Sequence, residues 1–205
     1  DLFIIETMYD LLTVKAALKA CRTAMEAAGR QVPLQIQVTI EQTGRMLPGT
    51  EINAALAAID PLGPDVIGLN CATGPQEMDE HLRYLARHSR VPISCIPNAG
   101  LPEVRDGEMY YGLSADDLAA HLSRFIGEYG VAVVGGCCGT GPAHIERLSE
   151  ACRNLEVADR LPEHVPGAAS LYSHVSFRQD TSFLIIGERT NANGSKQFRE
   201  AMLDE

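Results

Sequence analysis

Residues 131–142 read VAVVGGCCGTGP, and residues 66–75 read VIGLNCATGP. Both stretches begin with a short apolar run typical of a strand covered on both faces, and both end in T-G-P, where the proline suits the first position of a helix. The shared C-x-T-G-P pattern places Cys71 and Cys138 at equivalent points of two strand-to-helix units. This internal repeat predicts a fold of βα units with cysteines at the ends of two strands.

The same alternation extends through most of the chain. Apolar runs and helix-opening or helix-closing residues predict strands over 2–5, 34–40, 65–70, 91–96 and 131–136, and helices over 11–28, 51–59, 75–89 and 142–154, with a further helix opened by Ser114. Consecutive βα units of about 33 residues indicate a parallel sheet with right-handed crossovers. This leaves two α/β architectures open, a doubly wound sheet and part of a (β/α)₈ barrel.

Polar and thiol side chains fall just after the predicted strand ends. These residues are Glu6, Cys71, Asn98, Cys137 and Cys138. A barrel brings the carboxyl ends of all its strands around one mouth, whereas a flat sheet spreads them along an edge. We therefore expect a (β/α)₈ TIM barrel, present here as about five C-terminal βα units.

The chain divides into three predicted regions. Residues 1–155 form the barrel part, and residues 156–181 form a linker, because RLPEHVPGAAS combines prolines, glycine and small residues. Residues 182–205 begin a second βα domain, with a strand over 182–186 and a helix from Lys196. The start at Asp1 inside an apolar run and the end inside a helix lead us to expect a piece of a longer protein.

Composition excludes several classes of function. The 205 residues carry 17 basic and 27 acidic side chains, a formal net charge of −10, and no Lys/Arg block, so a nucleic-acid or anionic-membrane binder is not expected. No apolar run reaches the roughly 20 residues of a membrane span, and no signal-peptide pattern opens the chain. We expect a cytoplasmic protein with a small neutral or zwitterionic partner.

Six cysteines are scattered among the βα units, which indicates reduced thiols. Cys71, Cys137 and Cys138 are candidate ligands for a zinc ion with an open fourth position, provided that the glycines around the pair let the backbone leave strand geometry. A zinc-bound thiol is held deprotonated, so such a site suits activation of a sulfur nucleophile. Spacing alone leaves inert packing and a strained vicinal disulfide open as alternatives, and Cys21, Cys95 and Cys152 are interpreted as packing.

Three polar residues near the cysteines have two interpretations each. Glu6 can bind an ammonium group or cap the following helix, and Asn70 and Asn98 can orient a substrate or hold loops. His144, just inside a helix start, can contact a ligand or cap the helix. The sequence itself does not choose between these roles.

The segments IGLNCATGP and VVGGCCGTGPAHI together resemble the zinc-dependent homocysteine S-methyltransferase family, whose pattern is one cysteine at a strand end and a later GGCC pair. The resemblance covers about residues 1–155, including the opening IET and the PNAGLP turn. It implies a (β/α)₈ barrel, with Cys71, Cys137 and Cys138 as zinc ligands. It also implies that Glu6 contacts the homocysteine amino group.

The tail that begins SLYSHVSFRQD resembles the start of the pterin-binding barrel that follows this domain in cobalamin-dependent members of the family, and Asn191 and Asn193 match the pterin motif. The implied reaction is methyl transfer from methylcobalamin to the thiol of homocysteine, giving methionine. Methyltetrahydrofolate then recharges the cobalamin. The implied partners are homocysteine and a methylcobalamin domain of the same longer chain, and we expect little activity from these residues alone.

Two alternatives remain open at this point. One is a homocysteine S-methyltransferase with another donor, such as betaine, S-methylmethionine or S-adenosylmethionine, against which the pterin-like tail argues. The other is a non-catalytic metal-binding domain on a doubly wound α/β sheet.

Overall fold

The computed structural model describes residues 1–181, 183–184 and 191–203. Its strands are β1 (Phe3–Met8), β2 (Leu34–Val38), β3 (Val66–Asn70), β4 (Ile93–Ile96), β5 (Pro102–Arg105), β6 (Glu108–Tyr111), β7 (Val131–Val134), β8 (Gly167–Ala169) and β9 (His174–Ser176). Its helices are α1 (Leu11–Ala28), α2 (Ile52–Ile59), α3 (Pro75–His88), α4 (Ala115–Tyr129), α5 (Pro142–Cys152) and α6 (Lys196–Ala201), and a 3₁₀ turn, Asp60–Leu62, follows α2. The predicted α/β class is confirmed.

Five strands form one parallel sheet in the order β1-β2-β3-β4-β7. The strands therefore neighbour one another in chain order, and consecutive helices from α1 to α5 contact each other. Right-handed crossovers between sequential parallel strands place all the helices on one face, whereas a doubly wound sheet reverses its strand order and carries helices on both faces. The sheet is singly wound, with one layer of helices.

The hydrophobic core lies between this sheet and its helix layer. Ile36 and Ile67 on neighbouring strands are fully buried, and Leu82 and Phe125 belong to the same buried cluster from the helices. Each such side chain contributes about 1.5–3 kcal/mol relative to an exposed position. The buried face fixes the register of the strands, and hence the position of every residue at their carboxyl ends.

The opposite face of the sheet is polar at its centre. Gln37 is fully buried and donates a hydrogen bond from Nε2 to Ser94 Oγ at 3.2 Å, across the intervening strand β3. Because side chains alternate along a strand, Gln37 lies on the face opposite to Ile36. The two faces of the sheet therefore differ in chemistry.

The predicted helices are confirmed to within two residues at their ends. Helix α1 begins after Asp10, whose carboxylate accepts the Thr13 N–H at 2.8 Å, and it ends at Gly29 in the left-handed conformation. Helix α4 begins after Ser114, whose hydroxyl accepts the Asp117 N–H at 3.1 Å. Local capping chemistry thus sets these boundaries, as the sequence indicates.

The predicted strands all have somewhat different bounds in the structure, as where β2 ends at Val38 and β7 at Val134. Strand β4 begins at Ile93 instead of residue 91, because Pro92 has no N–H for the sheet. Strand β1 continues to Met8, so Glu6 lies inside it and not after its end. Its pairing with β2 is irregular between Ile5 and Met8 because the Thr7 N–H binds the Asn70 side chain at 2.8 Å.

A β-hairpin replaces the turn-rich stretch predicted between β4 and α4. Strands β5 and β6 pair in antiparallel fashion, with Pro102 opposite Tyr111 and Arg105 opposite Glu108. Asp106 and Gly107 connect them with φ values of 52° and 84°. Positive φ at both positions is typical of the Asp-Gly turn that closes two-residue hairpins.

The segment after α5 has the composition of a linker but lies bound to the helix layer. The Arg160 guanidinium donates hydrogen bonds to carbonyl oxygens at the end of α3 and just beyond it, namely those of Leu85, Ala86, Ser89 and Val91. Further along, the Glu51 N–H donates to the Tyr172 carbonyl at 2.8 Å. Residues 158–174 therefore form a strap across the helices.

The predicted strand over 182–186 falls, apart from Phe183 and Leu184, outside the described residues. The predicted helix from Lys196 is present as α6. The three proposed regions of the chain stay a prediction. Within the described residues, no helix combines the length and the apolar character needed to cross a bilayer.

Candidate metal centre

Three cysteine thiols converge at the carboxyl end of the sheet. Cys71 follows β3, and Cys137 and Cys138 follow β7 by a few residues. The Cys71 and Cys138 Sγ atoms lie 3.7 Å apart, the Cys137 and Cys138 Sγ atoms lie 3.9 Å apart, and all three lie within 4.8 Å of one another. Ligands about 2.3 Å from a tetrahedral zinc lie about 3.8 Å apart, so the spacing of the thiols fits this ion.

No other group of three or more His, Cys, Asp or Glu side chains in the described part of the chain lies close enough together to hold a metal ion. The sulfur atoms at positions 137 and 138 are also far beyond the roughly 2.05 Å of a disulfide bond. All six cysteines are free. The alternative of a vicinal disulfide is therefore wrong for this structure.

The remaining cysteines pack in or against the core, as predicted. Cys95 is fully buried on β4, and Cys21 and Cys152 contact the core from α1 and α5. Burial raises the pKa of the Cys95 thiol far above its ordinary range. These thiols have structural roles only.

The backbone around Cys71 takes an unusual conformation. Cys71 and Ala72 have φ values of 61° and 59°. For residues other than glycine this left-handed conformation costs about 1–2 kcal/mol each, and it occurs most often at functional sites. The Cys71 N–H still donates to the Ile96 carbonyl at 3.2 Å. The turn is therefore hydrogen-bonded to the sheet, although the backbone at Cys71 no longer follows the direction of β3.

The backbone around the paired cysteines leaves strand geometry, as two adjacent ligands require. Strand β7 ends at Val134, and the Cys137 N–H donates to the Pro97 carbonyl at 2.7 Å. Gly139 takes a φ of 77°. Both thiols can therefore face the same point.

Two buried asparagines hold the cysteine turns. Asn70, with no exposed surface, accepts the Thr7 N–H and donates from Nδ2 to Thr7 Oγ1 at 2.9 Å. Asn98, which is 2% exposed, accepts the Cys138 N–H at 3.1 Å. Of the two interpretations open for these residues, their hydrogen bonds support the holding of loops. Contact with substrate stays a prediction.

Glu6 and His144 have different surroundings. The Glu6 side chain is exposed, and Glu6 comes one residue before the Thr7 whose N–H binds Asn70, the neighbour of Cys71 in the chain. His144 uses both ring nitrogens, because Nδ1 accepts the Gly141 N–H at 3.2 Å and Nε2 binds the Leu113 carbonyl at 3.1 Å. His144 therefore caps α5 and links it to the chain before α4.

The electrostatics of the cluster favour protonated thiols at Cys71 and Cys137 when no ion is present. Burial raises the pKa of Cys71, and burial together with the Cys71 charge raises the pKa of Cys137 to about 12. Three thiolates this close repel one another, so a cation must bind before they ionise together near neutral pH. Metal binding at this cluster releases protons.

Two tyrosines beside the cluster were not found by sequence reasoning. Burial and then the Cys71 charge raise the pKa of Tyr9, while burial and then the Cys138 charge raise the pKa of Tyr111. Tyr9 precedes α1 and Tyr111 ends β6. The Asp106-Gly107 pair signals the hairpin that carries Tyr111, but no local signal shows where that hairpin packs.

The predicted pterin contacts lie on a short turn before α6. The Asn191 Oδ1 atom accepts the Asn193 N–H at 2.9 Å, and the Asn191 carbonyl accepts the Ser195 N–H at 2.8 Å. Ser195 in turn caps α6 by accepting the Phe198 N–H at 3.2 Å. Both asparagines are exposed, and their role toward a pterin stays a prediction.

Residues 1–152 match the family model for homocysteine S-methyltransferase, and the chain belongs to that family of methyltransferases. It is 54% identical over 205 residues to the methionine synthase of Mycobacterium tuberculosis and 52% identical over 210 residues to that of Mycobacterium leprae. Both matches cover 100% of this chain, which spans only 17% of the length of each relative.

A solved structure shows the same fold. The apo form of the homocysteine methyltransferase MmuM from Escherichia coli superimposes with a TM-score of 0.54 over 74% of this chain and 49% of its own, at 22% identity. The likeness concerns the fold alone.

Proposed function

We propose that this chain carries the homocysteine-binding and zinc-binding part of a cobalamin-dependent methionine synthase. The observation that carries the proposal is the convergence of Cys71, Cys137 and Cys138 at zinc-ligand spacing at the carboxyl end of the sheet. The identity to methionine synthases over the whole chain supports the choice of enzyme. The free cysteines support a reducing compartment, and we propose the cytoplasm.

In this proposal the three cysteines hold zinc through their sulfur atoms. An all-thiolate donor set is one that zinc prefers, and three ligands leave a fourth position for a substrate. When bound, zinc would keep the homocysteine sulfur deprotonated near neutral pH. The exposed Glu6 carboxylate binds the substrate ammonium group in this proposal. Asn70 and Asn98 keep the two turns in place.

The homocysteine sulfur then attacks the methyl carbon of the donor. The new S–C bond forms as the bond between the methyl carbon and the donor breaks, and the electron pair stays on the donor. We propose methylcobalamin as the donor and methyltetrahydrofolate as the source that recharges it, both on domains outside this chain. The proposed pterin contacts of Asn191 and Asn193 belong to that second step.

We also propose that the sheet is part of a (β/α)₈ barrel. The sequential strand order and the single layer of helices support this proposal, because a barrel is wound in one direction only. The polar centre of the other sheet face, with its Gln37–Ser94 hydrogen bond, would then face the barrel interior.

Metal analysis of the purified chain under reducing conditions tests the zinc site. We expect about one zinc per chain, its loss in Cys138→Ala, and its retention in the matched control Cys152→Ala, since Cys152 packs against the core on α5. A metal-free wild-type chain would overturn the zinc site.

Two further measurements separate the alternatives. Turnover of the full-length protein with methylcobalamin, betaine or S-methylmethionine identifies the donor, and we expect methylcobalamin alone to serve. The spectrum of the cobalt-substituted chain should change when homocysteine is added, because the substrate thiol enters the coordination of the ion. An unchanged spectrum would favour the non-catalytic metal-binding domain.

A further inference from the structure

Strand β1 contains one more residue than the part of β2 with which it pairs. Ile5 lies opposite Ile36, and Met8 lies opposite Val38, so the chain advances by three residues on β1 for two on β2. Such an insertion is a β-bulge, which is rare between parallel strands. Bulges are over-represented next to active sites, where they change the direction of a side chain.

The bulge determines which side chains of β1 point away from the hydrophobic core. Side chains alternate between the two faces of a regular strand, so residues three positions apart point to opposite faces. Ile5 is nevertheless buried in the core, and Met8 packs against the same core. Glu6 directly follows Ile5 and is exposed, so it points to the other face of the sheet.

The Thr7 side chain and N–H group are both bound by Asn70. The Thr7 N–H donates to Asn70 Oδ1 at 2.8 Å, and the Thr7 hydroxyl accepts from Asn70 Nδ2 at 2.9 Å. Asn70 has no exposed surface, and it follows the core residue Leu69, so its side chain also lies on the face away from the core. The two hydrogen bonds therefore join the bulge of β1 to the end of β3, across the intervening strand β2.

The backbone of Thr7 takes a conformation that threonine rarely adopts. Its φ value is 57°. For a β-branched residue a positive φ is a genuine outlier, and it persists only where the surrounding structure enforces it, most often at functional sites. The paired hydrogen bonds to a buried asparagine provide this constraint. Regular pairing resumes directly after the bulge, because the Thr39 N–H donates to the Met8 carbonyl at 2.9 Å.

We propose that Thr7 is a positioning residue for Glu6: its two hydrogen bonds with Asn70 hold the bulge that turns the Glu6 carboxylate to the face on which Asn70 lies. This inference rests on the proposed function, in which Glu6 binds the ammonium group of homocysteine. Asn70 is also the residue before Cys71. One buried side chain thus connects the carboxylate that binds the substrate to the first cysteine turn.

The test measures selectivity for the ammonium group in the full-length protein. The value of kcat/KM is determined for homocysteine and for its analogue without the α-amino group, and the ratio of the two values is compared among variants. Thr7→Val keeps the shape of the side chain but removes the hydroxyl. We expect it to lower the ratio by about 10-fold or more, because a misplaced carboxylate loses a hydrogen bond to a charged group. Thr7→Ser keeps the hydroxyl and should retain a ratio close to that of the wild type.

Two further variants control for effects on folding. Thr50 is buried, and its hydroxyl has no hydrogen-bond partner within the residues that the structure describes, so Thr50→Val removes a hydroxyl without breaking such a bond. It should leave the ratio unchanged. Thr7→Gly replaces Thr7→Val if the latter does not fold, because glycine takes a positive φ without strain. It also lacks the hydroxyl and should lose the same selectivity.

Glu6→Gln separates the inference from the proposed function. If Glu6→Gln lowers the ratio while Thr7→Val or Thr7→Gly retains it, the positioning role of Thr7 is overturned and the role of Glu6 stands. Equal losses in Thr7→Val and Thr50→Val, or in Thr7→Val and Thr7→Ser, also overturn the positioning role, since the Thr7 hydroxyl is then not the cause. A wild-type ratio in Glu6→Gln overturns the proposed contact between Glu6 and the substrate itself.

Discussion

The two cysteine turns share a left-handed backbone conformation at their second residue, but a different residue takes it in each turn. The first turn, residues 71–75, reads CATGP, and the second turn, residues 138–142, reads CGTGP. Ala72 and Gly139 occupy the same place in them, and both have positive φ, 59° and 77°. Since an alanine holds this conformation in the first turn, backbone conformation alone does not require a glycine in the second.

The difference arises from the neighbours of the two turns. Gly139 is covered by the Tyr111 ring, which leaves no space for a Cβ atom, whereas the first turn is held through the Asn70 side chain and Thr7. The first turn therefore has backbone strain and a clamp on the strand side, and the second has close packing from a hairpin. Three predictions follow the comparison, from the largest expected effect to the smallest.

Gly139→Ala should have the largest effect. The new Cβ atom would meet the Tyr111 ring at 2.3 Å and add left-handed strain, so we expect a loss of about 3 kcal/mol in the free energy of unfolding. Urea unfolding measures this loss.

Gly141→Ala is the matched control for that substitution. A Cβ atom at position 141 meets nothing within 4 Å, and the residue has a φ of −119°. Its cost should stay below about 1 kcal/mol. Equal losses in the free energy of unfolding at the two positions would show that the contact with the Tyr111 ring is not the reason why position 139 needs a glycine.

The pH dependence of metal binding should reveal the protons of Cys71, in the first turn, and of Cys137, directly before the second turn. The raised pKa of Cys71 and that of Cys137, about 12, keep both thiols protonated near neutral pH, so each must lose its proton to bind an ion. Between about pH 6 and 8 the apparent affinity should therefore rise by at least about 100-fold per pH unit, which is the contribution of these two protons. Chelator competition across this range checks the slope, and a flat profile would contradict the assignment of these thiols as ligands.

Ala72→Gly should have the smallest effect, and of the opposite sign to Gly139→Ala. Glycine removes about 1–2 kcal/mol of left-handed strain but adds about 0.4–1 kcal/mol of unfolded-state entropy, which leaves a gain of about 0.8 kcal/mol. Thermal unfolding should show a slightly higher Tm than wild type. A lower Tm would mean that the Ala72 methyl group makes packing contacts that outweigh its strain.

The repeat of C-x-T-G-P made much of the site predictable. Parallel strands bring their carboxyl ends to one edge of a sheet, so cysteines at equivalent points of two βα units were expected to meet, and Cys71 and Cys138 do lie side by side. The helices were predictable because their caps are local, as at Asp10 and Ser114.

Contacts between distant segments were not predictable in the same way. The pairing of β1 with β2 is irregular around Glu6 because the Thr7 N–H binds Asn70, 63 positions after Thr7, instead of the neighbouring strand. Likewise, the place of Tyr111 depends on how a hairpin folds back over a turn. Neither event leaves a periodic pattern in the sequence, so local rules could not find it.

The strap formed by residues 158–174 has a mechanical consequence. Arg160 anchors one part of it at the end of α3, and the Tyr172 carbonyl anchors another at the start of α2. A flexible tether only raises the local concentration of what it carries. A segment that is bound at both ends also fixes the position and the direction from which the chain continues. The residues after the strap thus start from a fixed point beside α2. The binding of the strap to the helices determines the direction in which the chain continues from there.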